Sequence, residues 1–212
     1  MRYTNRNEAG TLLASALEKY RGQDVVVLAV PRGGLPVGAV VAKSLEAPLD
    51  VALSKKIGHP NNPEYAIGAI SLTDVVLTDA KGISEAYIQQ QVQKIRQKLH
   101  TRYETYHKGR PAVSLSGKVV VIVDDGVATG NTITALTKLV SRQQPEKIVV
   151  AVPVAPPSAI AKLRQEPHVD EVVCLQSPED FQAVGQYYLH FYQVSDEEAI
   201  RLLNESRAEP MP

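Results

Sequence analysis

Residues 120–132 read VVIVDDGVATGNT, and this stretch decides the fold class. Its first four residues are apolar and lead directly into two adjacent acids, Asp124 and Asp125. A strand that is apolar at every position is typically buried on both faces, as parallel strands are in an α/β sheet. The small residues after the acids predict a tight loop that leads into a helix. The stretch therefore predicts a buried strand with two carboxylates at its carboxyl end.

The rest of the chain alternates between strand and helix patterns. Apolar runs predict further strands at 25–30, 49–53, 148–152 and 169–175. Apolar residues spaced three and four apart predict helices at 5–20, 37–45, 84–107, 133–140 and 158–165. This order predicts an α/β fold with an open, mostly parallel sheet flanked by helices. Because no linker interrupts it, we expect residues 1–212 to form a single domain.

Two segments depart from the simple alternation. Residues 57–66 read IGHPNNPEYA, and their prolines, asparagines and glycine predict a loop. Short apolar runs at 67–71 and 75–78 then predict a hairpin. On the long helix that follows, His100 and His107 fall on the polar side.

The composition excludes several classes of function. Lys+Arg and Asp+Glu are 23 each, so the net charge of zero gives no global attraction to nucleic acid or to an anionic membrane. Cys174 is the only cysteine, which excludes an intrachain disulfide and argues against a cysteine zinc site. The first residues lack the apolar core of a signal peptide, and no apolar run approaches a membrane span. We therefore expect a soluble, cytoplasmic protein.

The loop after the two acids predicts a phosphate site. In open parallel sheets, ligands bind at the carboxyl ends of strands, where loops lead into helices. Unpaired backbone N–H groups and the positive end of a helix converge there on a phosphate. The candidate residues are Ala128, Thr129, Gly130, Asn131 and Thr132. Two carboxylates beside a phosphate cradle suit a ribose 5-phosphate.

Two other nucleotide-binding motifs do not fit. A P-loop requires a lysine before its final Ser or Thr, whereas Asn131 precedes Thr132. The glycines of the chain also lack the G-x-G-x-x-G spacing of dinucleotide-binding folds.

Residues 120–132 resemble the signature of the type I phosphoribosyltransferases, which bind 5-phosphoribosyl 1-pyrophosphate (PRPP) with Mg²⁺. The resemblance implies that Asp124 and Asp125 are catalytic residues that bind the ribose hydroxyls. It assigns the 5-phosphate to the loop from Ala128 to Thr132. It also implies that Mg²⁺ arrives mainly through PRPP, with Asp124 and Asp125 as additional ligands.

The resemblance also implies a pyrophosphate loop after the first core strand. Pro31-Arg32-Gly33-Gly34 stands in that place. Arg32, Gly33 and Gly34 would contact pyrophosphate, and Arg32 would act as a catalytic residue. A cis peptide between Pro31 and Arg32 is implied as well.

A mobile loop closes over the reaction centre in this family, and Lys55–Ala66 occupies the corresponding stretch. Lys55 and Lys56 are expected to meet pyrophosphate, and Glu64 is expected to assist the base as a catalytic residue. A pair of lysines is as typical of a solvated surface as of a ligand site.

Departures from the family bear on the acceptor. The 6-oxopurine enzymes carry an acid at the position of Ala128, so an adenine- or uracil-type base is expected here. The C-terminal aromatic segment at residues 181–188 resembles an uncharacterised branch known as predicted phosphoribosyltransferases. Residues 170–212 are expected to form a small hood on a core of about 5–166. Its aromatic rings suit a flat base, and a packed cap without base contact is the alternative.

The resemblance thus implies transfer of a phosphoribosyl group from PRPP to a nitrogenous base, with release of pyrophosphate. The alternatives are a non-catalytic regulator that binds PRPP or a nucleotide, and a PRPP hydrolase on the same fold. The expected partners are PRPP, a small-molecule base and a second copy of the chain in a homodimer. Neither nucleic acid nor a membrane is expected as a partner.

Overall fold

The structure is a computed structural model that describes residues 2–109 and 111–208, without the side chains of Glu64, Arg207 and Ala208. Its strands are β1 Val25–Ala29, β2 Leu49–Val51, β3 Lys55–His59, β4 Asn62–Ile70, β5 Val75–Leu77, β6 Val119–Val123, β7 Lys147–Val154 and β8 Glu171–Gln176. Its helices are α1 Arg6–Ala16, α2 Gly34–Leu45, α3 Glu85–His107, α4 Asn131–Ser141, α5 Pro157–Arg164 and α6 Asp196–Ala208. Short 3₁₀ turns lie at Glu18–Tyr20 and Val184–Tyr187.

The central sheet has five parallel strands in the order β2-β1-β6-β7-β8. Successive side chains of a strand point to opposite faces. Val25 and Val27 of β1 therefore join one apolar core with α1, α2, α3 and α6. Val26 and Leu28 join a second core with α4 and α5. Because helices cover both faces, each strand can be apolar throughout, and the predicted α/β fold class is confirmed.

The second sheet corrects the loop predicted at 57–66. Strands β3, β4 and β5 form an antiparallel sheet in that order, so most of the stretch is a hairpin. Its register shifts beside Gly58, and Pro63 falls among the unopposed residues of the bulge, where no ladder hydrogen bond is required. Buried Ile57 and Ile67 anchor the hairpin in the core. The hairpin predicted from 67–71 and 75–78 is confirmed as β4 and β5.

His107 also departs from the prediction, because it is buried at the end of α3 rather than on a polar face. Its Nε2 lies 2.8 Å from Oδ1 of the buried Asp50, and its Nδ1 lies 3.1 Å from the Tyr103 carbonyl oxygen. Asp50 also accepts a 2.7 Å hydrogen bond from the Val113 N–H. The segment after α3 thus packs over this side of the helix, which the periodicity of the helix alone does not reveal.

The C-terminal part returns over the carboxyl edge of the sheet. Glu171–Gln176 is the edge strand β8 of the central sheet. We use "hood" below for residues 177–195. It pairs with the N-terminal segment, since the Tyr3 N–H donates to the Tyr187 carbonyl and the Leu189 N–H donates to the Tyr3 carbonyl, both at 2.8 Å. Among the described residues, no helix combines the length and apolarity needed to cross a bilayer.

Candidate functional site

The two acids lie at the carboxyl end of β6, as the sequence predicts. Asp125 is buried and Asp124 is half-buried. The Asp125 backbone N–H donates to Asp124 Oδ1 at 2.9 Å, which orients the Asp124 carboxylate. The backbone of Asp125 is held in place as well, because the buried Tyr188 hydroxyl donates to its carbonyl oxygen at 2.6 Å.

The electrostatic setting of the two acids differs. Burial and the adjacent Asp125 carboxylate raise the pKa of Asp124 well above its usual value. Burial also raises the pKa of Asp125, and the Arg6 guanidinium opposes this rise because it favours the charged form. A cation brought by a ligand would reduce the cost of ionising Asp124.

Arg6, a residue that the sequence reading missed, contacts the acid pair directly. Its Nε and Nη2 each lie 2.8 Å from Asp125 Oδ2, and its Nη1 donates to the Tyr192 carbonyl at 2.8 Å. Its guanidinium carbon lies 4.0 Å from the centroid of the Phe191 ring. A signal was present, because Arg6 precedes the buried Ala9 by three positions and so shares the apolar stripe of α1.

The predicted pyrophosphate loop lies against the acids. The peptide between Pro31 and Arg32 is cis, as the resemblance implied. A Cβ atom added to Gly33 would lie 2.2 Å from Asp125 Oδ2, and one added to Gly34 would lie 2.7 Å from the Val123 carbonyl oxygen. Only glycines allow the turn after β1 to approach β6 so closely.

Arg32 extends from this turn toward the hood side of the site. Its Nη1 lies 3.8 Å from Oδ2 of Asp196, the first residue of α6, and the Arg32 side chain is 28% exposed. An ion pair of this length at a partly exposed position is weak. Arg32 is therefore available to a more strongly charged ligand.

The predicted phosphate loop has the geometry of an anion site. Gly130 has a φ of 76°, which favours glycine, and the first helical hydrogen bond of α4 runs from the Thr134 N–H to the Gly130 carbonyl. Among the hydrogen bonds of the described residues, none uses the N–H of Ala128, Thr129 or Gly130. These donors lie at the N-terminus of a helix, where an anion is favoured.

Lys162 is a second residue that the sequence reading missed. It lies on α5, and its Nζ donates a hydrogen bond to Oδ1 of Asn131, the first residue of α4. Its Cδ would lie 3.7 Å from a Cβ added to Gly130. The α5 helix was predicted, but its packing beside the phosphate loop is a tertiary contact without a local signal.

The residues predicted on the mobile segment lie on the second sheet. Lys55 and Lys56 begin β3, which three residues separate from the end of β2, and both side chains are exposed. Glu64 belongs to β4, and its side chain lies outside the part of the structure that is described. The structure thus brings the acids together with the glycine turn, whereas Lys55 and Lys56 lie on the second sheet.

A cavity of about 400 Å³ lies between Asp125, the glycine turn and the hood. Its lining residues are Arg6, Arg32, Gly33, Asp125, Phe191, Tyr192, Gln193 and Val194. The hood contains both packed rings and rings that line the cavity. Tyr188 is buried against Tyr3 at a ring distance of 5.4 Å, whereas the half-exposed Tyr192 lines the cavity.

Comparisons with known proteins agree with this geometry. The family model of the phosphoribosyl transferase domain matches residues 3–191. The crystal structure of TT1426 from Thermus thermophilus is 42% identical, covers 97% of this chain and 99% of that chain, and superposes with a TM-score of 0.88. A protein from Neisseria gonorrhoeae at 16% identity covers 98% of this chain and 96% of its own, with a TM-score of 0.54, and shows the fold alone.

Two proteins from Mycobacterium tuberculosis, of strains CDC 1551 and H37Rv, are 42% identical over 209 residues, and their names assign them provisionally to the phosphoribosyl transferases. The match covers 96% of this chain and 47% of each relative, so the chain spans about half the length of these proteins. The family match over residues 3–191 includes both acids, the glycine turn and the phosphate loop. This chain therefore belongs to the phosphoribosyl transferase family.

Proposed function

We propose that this protein transfers the 5-phosphoribosyl group of PRPP to a ring nitrogen of a base and releases pyrophosphate. The observation that carries the proposal is the contact between Gly33 and Asp125. It joins the turn after β1 to the acid pair after β6, next to a loop whose N–H groups are available for a phosphate. One substrate with a sugar diol, a phosphate and a pyrophosphate matches all three parts.

The 5-phosphate would bind at the start of α4. The N–H groups of Ala128, Thr129 and Gly130 would donate to its oxygens, and the exposed Thr129 and Thr132 would add their hydroxyls. Lys162 supplies a positive charge beside the same loop. Binding there fixes the position of the ribose relative to β6.

The ribose hydroxyls would donate to Asp124 and Asp125. Charge-assisted hydrogen bonds of this kind are strong and directional. They hold the ring while the bond from its anomeric carbon to the pyrophosphate oxygen breaks and a bond to the base nitrogen forms. The protein contributes mainly position and electrostatic stabilisation.

Pyrophosphate would leave toward the turn after β1. Arg32 and the N–H groups of Gly33 and Gly34 would stabilise its developing negative charge. The oxygen-rich acid pair also suits Mg²⁺, which binds one or two carboxylates together with substrate phosphates. Since the described residues contain no group of three side chains arranged to hold a metal, the remaining ligands would come from PRPP and water. Bound there, Mg²⁺ would neutralise charge on the leaving pyrophosphate.

The acceptor would lie beneath the hood, in the cavity that Tyr192 and Gln193 line. Ala128 lacks the acidic side chain that the resemblance associates with 6-oxopurines, which favours an adenine- or uracil-type base. The β3–β4 hairpin would close over the centre and bring Lys55, Lys56 and Glu64 toward it. The Tyr87 hydroxyl donates to the Gly58 carbonyl at 2.8 Å, which gives this hairpin a support on α3.

A screen of purine and pyrimidine bases with labelled PRPP and Mg²⁺ tests the proposal. We expect nucleotide and pyrophosphate in equal amounts with adenine or uracil. Pyrophosphate and ribose 5-phosphate without any base would indicate a hydrolase instead. PRPP binding without turnover in the presence of every base would indicate a regulator that kept the site.

A further inference from the structure

The Arg6 guanidinium contacts only one of the two carboxylate oxygens of Asp125. Both Nε and Nη2 lie 2.8 Å from the same oxygen, Oδ2, rather than from the two oxygens of the carboxylate. Arg6 therefore fixes the orientation of the carboxylate and leaves Oδ1 outside its own contacts. An oriented carboxylate with one oxygen outside the ion pair suits a second hydrogen-bond donor, such as a sugar hydroxyl.

The rest of the guanidinium belongs to the hood. Nη1 donates to the Tyr192 carbonyl at 2.8 Å, and the Phe191 ring lies 4.0 Å from the guanidinium carbon. The side chain of Arg6 is only 7% exposed. A charge so far removed from water requires its partners, so Arg6, Asp125 and the hood are held in one arrangement.

These residues line the cavity of the proposed reaction centre. Asp125, Gly33, Phe191 and Tyr192 all line the cavity of about 400 Å³, and Arg6 joins Asp125 to the hood through its hydrogen bonds. Any shift of Arg6 would therefore change the orientation of Asp125 and the position of the hood together.

We propose that Arg6 is a positioning residue for the phosphoribosyl group. It holds Asp125 in the orientation that accepts a ribose hydroxyl, and it ties the hood to that orientation. This inference rests on the proposed function, because it assumes that the acid pair binds the sugar. Arg6 itself acts through Asp125.

The test measures binding of two probes by calorimetry, ribose 5-phosphate and inorganic phosphate. Only the first has hydroxyls for Asp125, whereas both have a phosphate for the α4 loop. Arg6→Lys keeps the charge but cannot make the planar, multi-nitrogen contact. We expect it to weaken ribose 5-phosphate about tenfold and to leave inorganic phosphate within about twofold. Arg21→Lys is the matched control, since Arg21 is an exposed arginine that pairs with Glu18 and Glu46.

A double-mutant cycle establishes whether Arg6 acts through Asp125. If it does, Arg6→Lys combined with Asp125→Asn should bind ribose 5-phosphate no more weakly than Asp125→Asn alone. Fully additive losses would overturn the inference. So would unchanged or tighter binding by Arg6→Lys, because Arg6 would then be irrelevant to the sugar or would compete with it.

Phe191→Leu keeps the ion pair but removes the ring beneath the guanidinium, so it decides the question if Arg6→Lys does not fold. We expect the variant to bind ribose 5-phosphate about threefold more weakly and to bind inorganic phosphate as the parent does. Equal affinity of the variant and parent for both probes would overturn the inference.

Parent protein that binds neither ribose 5-phosphate nor PRPP would overturn both the proposed function and the role of Arg6. Parent protein that binds both and transfers to no base would contradict only the transferase activity.

Discussion

Gly33 packs so closely against Asp125 that a Cβ atom at position 33 would lie 2.2 Å from the carboxylate Oδ2. Real Cβ atoms essentially never approach another heavy atom within 3.0 Å. The turn after β1 and the acid after β6 therefore share one packed arrangement, although 92 positions separate the two residues in the sequence. A change on one side of this contact must displace the other side.

Gly33→Ala should therefore disrupt the site more than the fold. The added methyl group displaces either the turn or the Asp125 carboxylate that Arg6 holds, and we expect PRPP affinity to fall at least about tenfold. Calorimetric titration with PRPP and Mg²⁺ measures this loss. Gly82→Ala is the control, because Gly82 has open space around it and a φ of +79°, so that variant reports backbone strain alone. Equal PRPP affinity in both variants would contradict the prediction.

Asp124→Asn should stabilise the unliganded protein at neutral pH. Burial, together with the Asp125 carboxylate, raises the pKa of Asp124 in the folded state. The contribution of its protonated form to stability is complete below the usual Asp pKa of about 3.9 and is lost as the pH rises through the higher folded-state pKa. Asparagine is neutral throughout, so the variant should melt above the parent at about pH 7.5, with a gap that closes toward about pH 4.

Thermal unfolding over this pH range measures the gap, and PRPP titration of the same variant should show at least about tenfold weaker binding. Asp24→Asn is the control for removing an acid from the surface, because the Asp24 side chain is 67% exposed. If the difference in melting temperature between variant and parent does not change with pH, ionisation of Asp124 does not destabilise the parent.

The acid pair could be predicted from the sequence because all five residues directly before it, Val119–Val123, are apolar and so indicate a buried strand. The partners of Arg6 could not, because Asp125 and Tyr192 lie 119 and 186 positions away from it, although its place on the apolar stripe of α1 indicated a buried position. His107 was misplaced for a related reason. The polar pattern of α3 does not reveal that Asp50 and the segment after the helix cover one of its sides.

The hairpin of β3 and β4 was missed for a different reason. Pro60 and Pro63 argue against a regular central strand, because proline has no N–H to donate to a neighbouring strand. The bulge beside Gly58 removes that objection, because unopposed residues need no ladder hydrogen bond. A bulge is visible only once the partner strand is known, whereas the β4–β5 hairpin has regular pairing and was predicted correctly.

Asp50→Asn should destabilise the protein at neutral pH. Burial raises the pKa of Asp50, but hydrogen bonds from His107 and from the Val113 and Val51 N–H groups outweigh it, so the pKa lies below its usual value. The charged form therefore contributes stability that is present above the unfolded-state pKa of about 3.9 and is lost as the pH falls through the lower folded-state value. We expect a loss of about 3 kcal/mol at pH 7, measured by urea unfolding.

The same unfolding experiment on Asp24→Asn, which removes an exposed pair with Lys118, should show a loss of no more than about 0.5 kcal/mol. The difference between Asp50→Asn and the parent should also shrink below about pH 4. An equally small effect of both variants would show that the buried contact with His107 adds nothing to stability.

Lys162→Ala should weaken phosphate binding without affecting the sugar contacts. The Lys162 ammonium lies beside Asn131 at the start of α4, next to the N–H groups proposed to receive the 5-phosphate. A point charge at this distance attracts the anion without a fixed geometry, so we expect inorganic phosphate and PRPP to lose affinity by a similar factor of about three at low salt. Because the lysine is exposed, the effect should shrink as added salt screens it. Titrations at two salt concentrations measure both changes, with Lys98→Ala on α3 as the control for losing an exposed lysine. An effect of the same size in both variants would assign it to net charge and would remove Lys162 from the phosphate site.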